Sequence, residues 1–157
     1  MTEPLSWDEM SGAGDPHVFP IRVYFEDTDA GGIVYYANYL KFAERARTEM
    51  MRSLGVESSH WLDGEGVVFA VRRCDADYRR PARLDDLLQM HTWVCKIGGA
   101  SFQLEQRVTR GGEDLVRMDI TLVCMDATGR AVRIPGGVRE RLESHCKGRL
   151  RVTEYGK

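Results

Sequence analysis

Two periods divide the chain. From Asn38 the apolar residues Tyr39, Ala43, Ala46, Met50 and Leu54 recur at helical spacing, with Lys41, Glu44, Arg45, Arg47, Glu49 and Arg52 on other faces. Asn38 is expected as the N-cap and Gly55 as the residue just past the end, giving a helix of about five turns. Leu40, Phe42 and Met51 widen its apolar surface beyond one stripe, so more than one face is expected to be covered. Before the helix, Ile21–Glu26 alternate as a short strand does.

After Gly66 the period becomes two. Val67–Tyr78 is an apolar-rich run closed by Arg79-Arg80-Pro81, and Leu87–Ile97 follows up to Gly98-Gly99. Next, Phe102, Leu104 and Val108 alternate with Gln103, Glu105 and Arg107. Beyond Gly111-Gly112, Val116, Met118, Ile120, Leu122 and Cys124 share one face of Leu115–Met125. Short Gly-containing turns between such runs call for antiparallel hairpins. Thr128-Gly129 and Pro135 punctuate the remainder. A long helix followed by four antiparallel strands is an α+β plan, and wrapping the sheet around the helix buries it most simply.

The length of 157 residues suits one domain. Residues 1–19 read as a flexible acidic arm, with Glu3, Asp8, Glu9 and Asp15 and no basic residue in the first sixteen. Residues 20–145 hold the domain, and 146–157 form a tail. The net charge of −2 provides no global field for nucleic acid, and no apolar run is long enough for direct membrane insertion. Cys74, Cys95, Cys124 and Cys146 are widely spaced, and with no export signal the expected residence is the reducing cytoplasm.

The chemistry concentrates between Glu26 and Tyr36. Glu26, Asp27 and Asp29 stand beside the Gly31-Gly32 turn, just ahead of the helix. An acid beside free amides at a helix start supplies a base and an oxyanion stabiliser, as ester and thioester hydrolysis require. Asp27 is read as a turn cap. A calcium loop fails, because its fifth and twelfth positions would be Gly31 and Asn38. Asp29 is the candidate catalytic residue, with Ala30-Gly31-Gly32 small enough for close substrate approach. The four histidines lack metal-ligand spacing, so no metal is expected. No G-x-S-x-G elbow occurs either.

The run from Val23 to Met50, with its Glu-Asp-Thr-Asp-Ala-Gly-Gly core, resembles the acyl-CoA thioesterases of the hotdog fold. The nearest branch is the one associated with the bacterial Tol-Pal system, related to 4-hydroxybenzoyl-CoA thioesterase. Val71-Arg72-Arg73, Asp77–Asp86 and Ile134-Pro135 match further. The resemblance implies a long central helix wrapped by a curved antiparallel sheet of about five strands. It also implies a homodimer with active sites between subunits, often paired into a homotetramer. By position Asp29 matches the catalytic aspartate, which activates water or attacks the thioester carbonyl. Tyr36 stands where this branch more often has histidine and the hydroxybenzoyl enzyme has tyrosine.

On this reading Gly31, Gly32, Val34 and Tyr36 contact substrate, and acyl-CoA hydrolysis needs no further cofactor. Arg72, Arg73, Arg79, Arg80, Arg83, Lys96, Arg130 and Arg133 are candidates for the coenzyme A phosphates. Arg130 and Arg133 are preferred because related enzymes hold the nucleotide near the last strand. Trp61, Phe69, Met50 and Met51 are candidates for an acyl channel, with core packing as the plainer role. The basic end Lys147-Gly-Arg149-Leu-Arg151 reads as a solvated tail or a dock for acyl carrier protein. The rivals are hydration or dehydration of acyl thioesters, and a non-catalytic carrier or envelope-complex binding module.

Overall fold

A computed structural model describes residues 15–57, 64 and 66–146. Trp61, the first fourteen residues and the basic end lie outside the described residues. The elements are β1 (His17–Arg22), α1 (Asn38–Ser53), β2 (Val67–Tyr78), β3 (Leu87–Ile97), β4 (Ser101–Arg110), β5 (Glu113–Asp126) and α2 (Gly136–His145). All strand pairs are antiparallel, in the order β1-β3-β4-β5-β2.

The period-two faces pack as expected. Leu88, Met90 and Val94 of β3, Phe102, Leu104 and Val108 of β4, and the β5 series from Val116 to Cys124 are buried together. Against them α1 presents Tyr39, Phe42, Ala43, Ala46, Met50 and Met51. The two alanines let the sheet approach the helix backbone. Gln106 exploits this, its Nε2 donating to the Ala43 carbonyl at 2.9 Å and to Thr92 Oγ1 at 3.0 Å. Phe69 meets Phe102 edge-on at 5.4 Å, and Met50 and Met51 are buried in the core, which assigns all three to packing.

Several expectations shift. The first strand begins at His17 and ends at Arg22, not at Ile21–Glu26, because Phe25–Asp27 close into a 3₁₀ turn. Asp27 Oδ2 drives that turn by accepting the Tyr24 amide at 2.8 Å. Pro20 is tolerated because β1 is an edge strand. Asn38 is not the N-cap; Ala37 holds that place, and Asn38 Nδ2 donates to the Asp27 carbonyl at 2.8 Å. Gly55 does end the helix, at φ +83°, with Gly55 N–H bonding Arg52 O and Val56 N–H bonding Met51 O in a Schellman pattern.

The C-terminal helix α2 went unrecognised in the sequence pattern. It buries Val138 and Leu142, and Arg141 Nη1 donates to Leu54 O at 2.5 Å, tying α2 to the end of α1. Glu105 and Arg107, polar positions that alternate with Leu104 and Val108, are buried. On the sheet face away from α1, Glu105 Oε1 meets Arg117 Nε at 3.2 Å and Arg107 Nη2 at 3.5 Å, and Arg107 lies 5.1 Å from the Trp93 ring centroid. Long charged side chains laid along a sheet bury their stems and pair their heads.

Candidate active site

The Asp29 loop is a small hairpin clamped at both ends. Thr28 bridges Val34, and Ile33 bridges Arg83. The Asp29 amide donates to Ile33 O at 2.9 Å, and Gly32 N–H returns to Asp29 O at 3.0 Å. Gly32 sits at φ +77°, which glycine adopts without strain. The loop leans on the segment after β2, where Val34 N–H reaches Ala82 O at 2.8 Å. Tyr39 Oη, buried in the helix face, accepts the Ala82 amide at 3.0 Å. One tyrosine thus fixes the ledge on which the loop rests.

The carboxylate itself is held locally. Gly31 N–H donates to Asp29 Oδ1 at 2.8 Å. Oδ2 is therefore the oxygen left for water or a carbonyl carbon. In a single chain Asp29, Gly31, Gly32 and Tyr36 are exposed, whereas the Val34 side chain is buried in the core.

The amides divide clearly. Those of Gly31, Gly32 and Val34 are used within the loop and its ledge, and Tyr35 N–H goes to Asp27 O at 3.0 Å. Those of Tyr36 and Ala37 have no acceptor among the described residues. They open the first turn of α1, where the helix dipole adds about half a positive charge. Gly32 contributes open space: a Cβ there would meet nothing within 4 Å.

Aromatic rings line one side. Tyr36 lies 4.9 Å from Tyr35 and 6.0 Å from Tyr78, centroid to centroid, and Tyr39 lies 5.8 Å from Tyr78. The neighbouring Tyr36, through its charge and its hydrogen bond, and the Asp29 carboxylate raise the Tyr35 pKa. Alternation in β2 gave no hint that Tyr78 reaches the loop.

The predicted cations separate. Arg130 and Arg133 lie at the far end of β5, where Asp126 Oδ1 accepts the Arg130 amide at 3.1 Å. The Asp29 end of the sheet is marked by Leu115, whose carbonyl accepts the amides of Arg79 and Arg80. From Leu115 to Asp126 the strand spans about 36 Å at roughly 3.3 Å per residue. Within one chain neither arginine joins Asp29. Arg83 does stand beside the loop, and its guanidinium forms no ion pair among the described residues. Arg80 and Arg110 are committed to Glu113 and Asp86. Among the described residues no group of three His, Cys, Asp or Glu side chains is placed to hold a metal ion.

A long helix cradled in a five-stranded antiparallel sheet, entered through a carboxylate loop, defines a hotdog-fold protein of the thioesterase kind. The family model of the thioesterase-like superfamily matches residues 23–142, and the chain belongs to that family. An acyl-CoA thioesterase YbgC of Haemophilus influenzae is 44% identical over 108 residues, covering 69% of this chain and 79% of the relative. A probable thioesterase from Bartonella henselae superposes with a TM-score of 0.75 at 36% identity, covering 76% of this chain and 99% of that one. A thioesterase from Thermus thermophilus, solved with coenzyme A and Zn, gives 0.71 at 31% identity, covering 82% and 98%. No helix of the described residues is long and apolar enough to cross a membrane.

Proposed function

We propose that this protein hydrolyses acyl-CoA thioesters to a free carboxylic acid and coenzyme A. Asp29 Oδ2 activates water or attacks the thioester carbonyl, and the Tyr36 and Ala37 amides receive the charge that develops on oxygen. A pre-aimed donor of that kind contributes about 2.7–4 kcal/mol to the transition state. The observation that carries this reading is a carboxylate fixed by the Gly31 amide in the loop that leads into α1, where two amides have no acceptor among the described residues. Hydrolysis at this site requires water and no redox group. Tyr36 offers its amide, so a tyrosine in place of an imidazole is compatible with the chemistry.

Gly31 and Gly32 provide the open floor for the thioester, and Tyr36 and Tyr78 the aromatic wall. Arg83 is a cation beside the loop for a coenzyme A phosphate; Arg130 and Arg133 serve only if another chain brings them. The working form is then a homodimer or homotetramer acting in the cytoplasm on acyl-CoA, with acyl carrier protein thioesters as a second delivery form. The resemblance to the Tol-Pal-associated branch supports a role beside that system. Steady-state hydrolysis of an acyl-CoA panel tests the reading. Asp29→Asn keeps an oxygen for the Gly31 amide but removes the base, and is expected to lower turnover by roughly 10²–10⁴-fold. Full activity in that variant refutes it.

A further inference from the structure

The ledge under the Asp29 loop runs from Pro81 to Asp86, and its shape is not one a free chain would keep. Asp85 sits at φ +70°, in the left-handed region, where every other described residue is a glycine. A residue with a side chain persists there where its surroundings over-determine it, and such strain gathers at functional sites. Two arginines supply the constraint. Arg22 Nη1 donates to Asp85 O at 2.8 Å. Arg110, the last residue of β4, spans the whole ledge: its Nη1 donates to Pro81 O at 3.3 Å and to Asp86 Oδ2 at 2.7 Å. Asp86 Oδ2 also accepts the Arg83 amide at 2.8 Å.

The guanidinium is itself held in place. Its Nη2 donates to Glu113 Oε1 at 2.9 Å, and Glu113 Oε2 lies 3.3 Å from Arg80 Nη1, one residue ahead of the ledge. Arg110 and Glu113 face each other across the Gly111-Gly112 turn, so the tip of the β4–β5 hairpin stands as a post against the ledge. The Arg110 and Asp86 side chains are 32% and 22% exposed, which shields their pair from much of the screening that weakens surface ion pairs. Burial pushes the Asp86 carboxyl up, but the hydrogen bonds from Arg110 and the Arg83 amide outweigh it and hold the group below its ordinary value.

We infer that Arg110 is a positioning residue for the site: by clamping both ends of the Pro81–Asp86 ledge it fixes where the Asp29 carboxylate stands. The route is continuous. Ala82 O accepts the Val34 amide at 2.8 Å, Ile33 bridges Arg83, and Ile33 O accepts the Asp29 amide at 2.9 Å. Tyr39 holds the ledge from the helix side at Ala82, and Arg110 holds its two ends from the sheet side. A planar fork can reach a carbonyl and two carboxylates at once, which a lysine ammonium on its single stem cannot match. The consequence for turnover rests on the thioesterase reading above.

Removing the fork tests this. Arg110→Met keeps the length of the stem and loses every donor. Amide exchange in peptides covering Thr28–Tyr36 is expected to speed up by about tenfold, with α1 unchanged. In steady-state hydrolysis of an acyl-CoA, kcat is expected to fall by about tenfold while KM stays within about twofold, as misplacement of a reacting group requires. Arg110→Lys keeps the Asp86 pair and is expected to recover part of kcat. Asp86→Asn still accepts the Arg83 amide but loses the charge; if Arg110 acts through Asp86, the double variant is no slower than the slower single one. Circular dichroism checks that each chain is folded, and if Arg110→Met is not, Arg110→Lys and Asp86→Asn carry the exchange measurement. Loop exchange at the wild-type rate, an unchanged kcat in Arg110→Met where Asp29→Asn is inactive, or losses that simply add overturns the inference. Faster loop exchange in Arg110→Met alongside full activity in Asp29→Asn removes the catalytic assignment and leaves the clamp standing.

Discussion

The Gly31 amide donates to Oδ1 of Asp29 at 2.8 Å, and a Cβ on Gly31 would lie 3.1 Å from that same oxygen. The glycine both orients the carboxylate and leaves it room. Gly31→Ala therefore displaces the carboxylate by a few tenths of an ångström, without backbone strain, because Gly31 is not at positive φ. Turnover is expected to fall by roughly tenfold, since small misplacements of a reacting group are costly, while KM and melting temperature stay near wild type. Unchanged kcat in steady-state assays is the result that counts against a fixed-carboxylate site.

Tyr39 supports the loop from beneath. Its buried oxygen accepts the Ala82 amide, and Ala82 O in turn accepts the Val34 amide. Burial raises the Tyr39 pKa, so the phenol stays neutral at all ordinary pH. Tyr39→Phe leaves the ring packing intact but strands a buried N–H, at an expected cost of about 1–3 kcal/mol in urea unfolding. A change of only a few tenths would show that water replaces the hydroxyl.

Arg83 and Arg130 distinguish what a chain does alone from what it does in an assembly. Arg83 flanks its own Asp29 loop; Arg130 lies at the other end of the sheet. If both meet coenzyme A phosphates, Arg83→Ala and Arg130→Ala each raise KM several-fold with kcat little changed, as loss of uniform binding requires. Equal KM for all these chains would remove both arginines from substrate binding.

The sequence carried most of the sheet because inward apolar residues recur at every second position along stretches of each strand between Leu88 and Cys124, and it carried α1 because Tyr39, Ala43, Ala46 and Met50 repeat at helical spacing. The Asp29 turn was legible because its contacts are local: donor and acceptor lie within four residues. What stayed hidden is non-local. α2 opens on Gly136-Gly137, which mimic a turn, and only Val138 and Leu142 mark its inner face. The spacing of Val138, Leu142 and Cys146, all buried, was the available signal. The burial of Glu105 and Arg107 was not legible, because alternation records polarity, not the ion pairs that permit burial. Arg130 and Arg133 were grouped with Asp29 by resemblance, and topology separates them.

His91 gives the fold a pH dependence with a definite sign. It is half-buried on β3, stacked 5.9 Å from the Trp93 ring and 3.1 Å from Thr109 Oγ1. Burial lowers its pKa from 6.5, the Arg107 charge adds to this, and Asp114 opposes it. The unfolded imidazole therefore takes up a proton near pH 6.5, where the folded one does not. Within that window the unfolded state binds more protons, so stability declines as pH falls through 6.5 and levels once the folded ring also titrates. His91→Gln keeps a polar group near Thr109 and removes the titration. Its stability relative to wild type is expected to improve between about pH 8 and pH 5.5 in urea unfolding, since only the wild type bears the penalty at the lower value. His17, also lowered by burial and by His145, contributes with the same sign and leaves a residual slope in the variant. A wild-type-to-variant difference that stays constant across that range would mean that His91 titrates alike in the folded and unfolded chains.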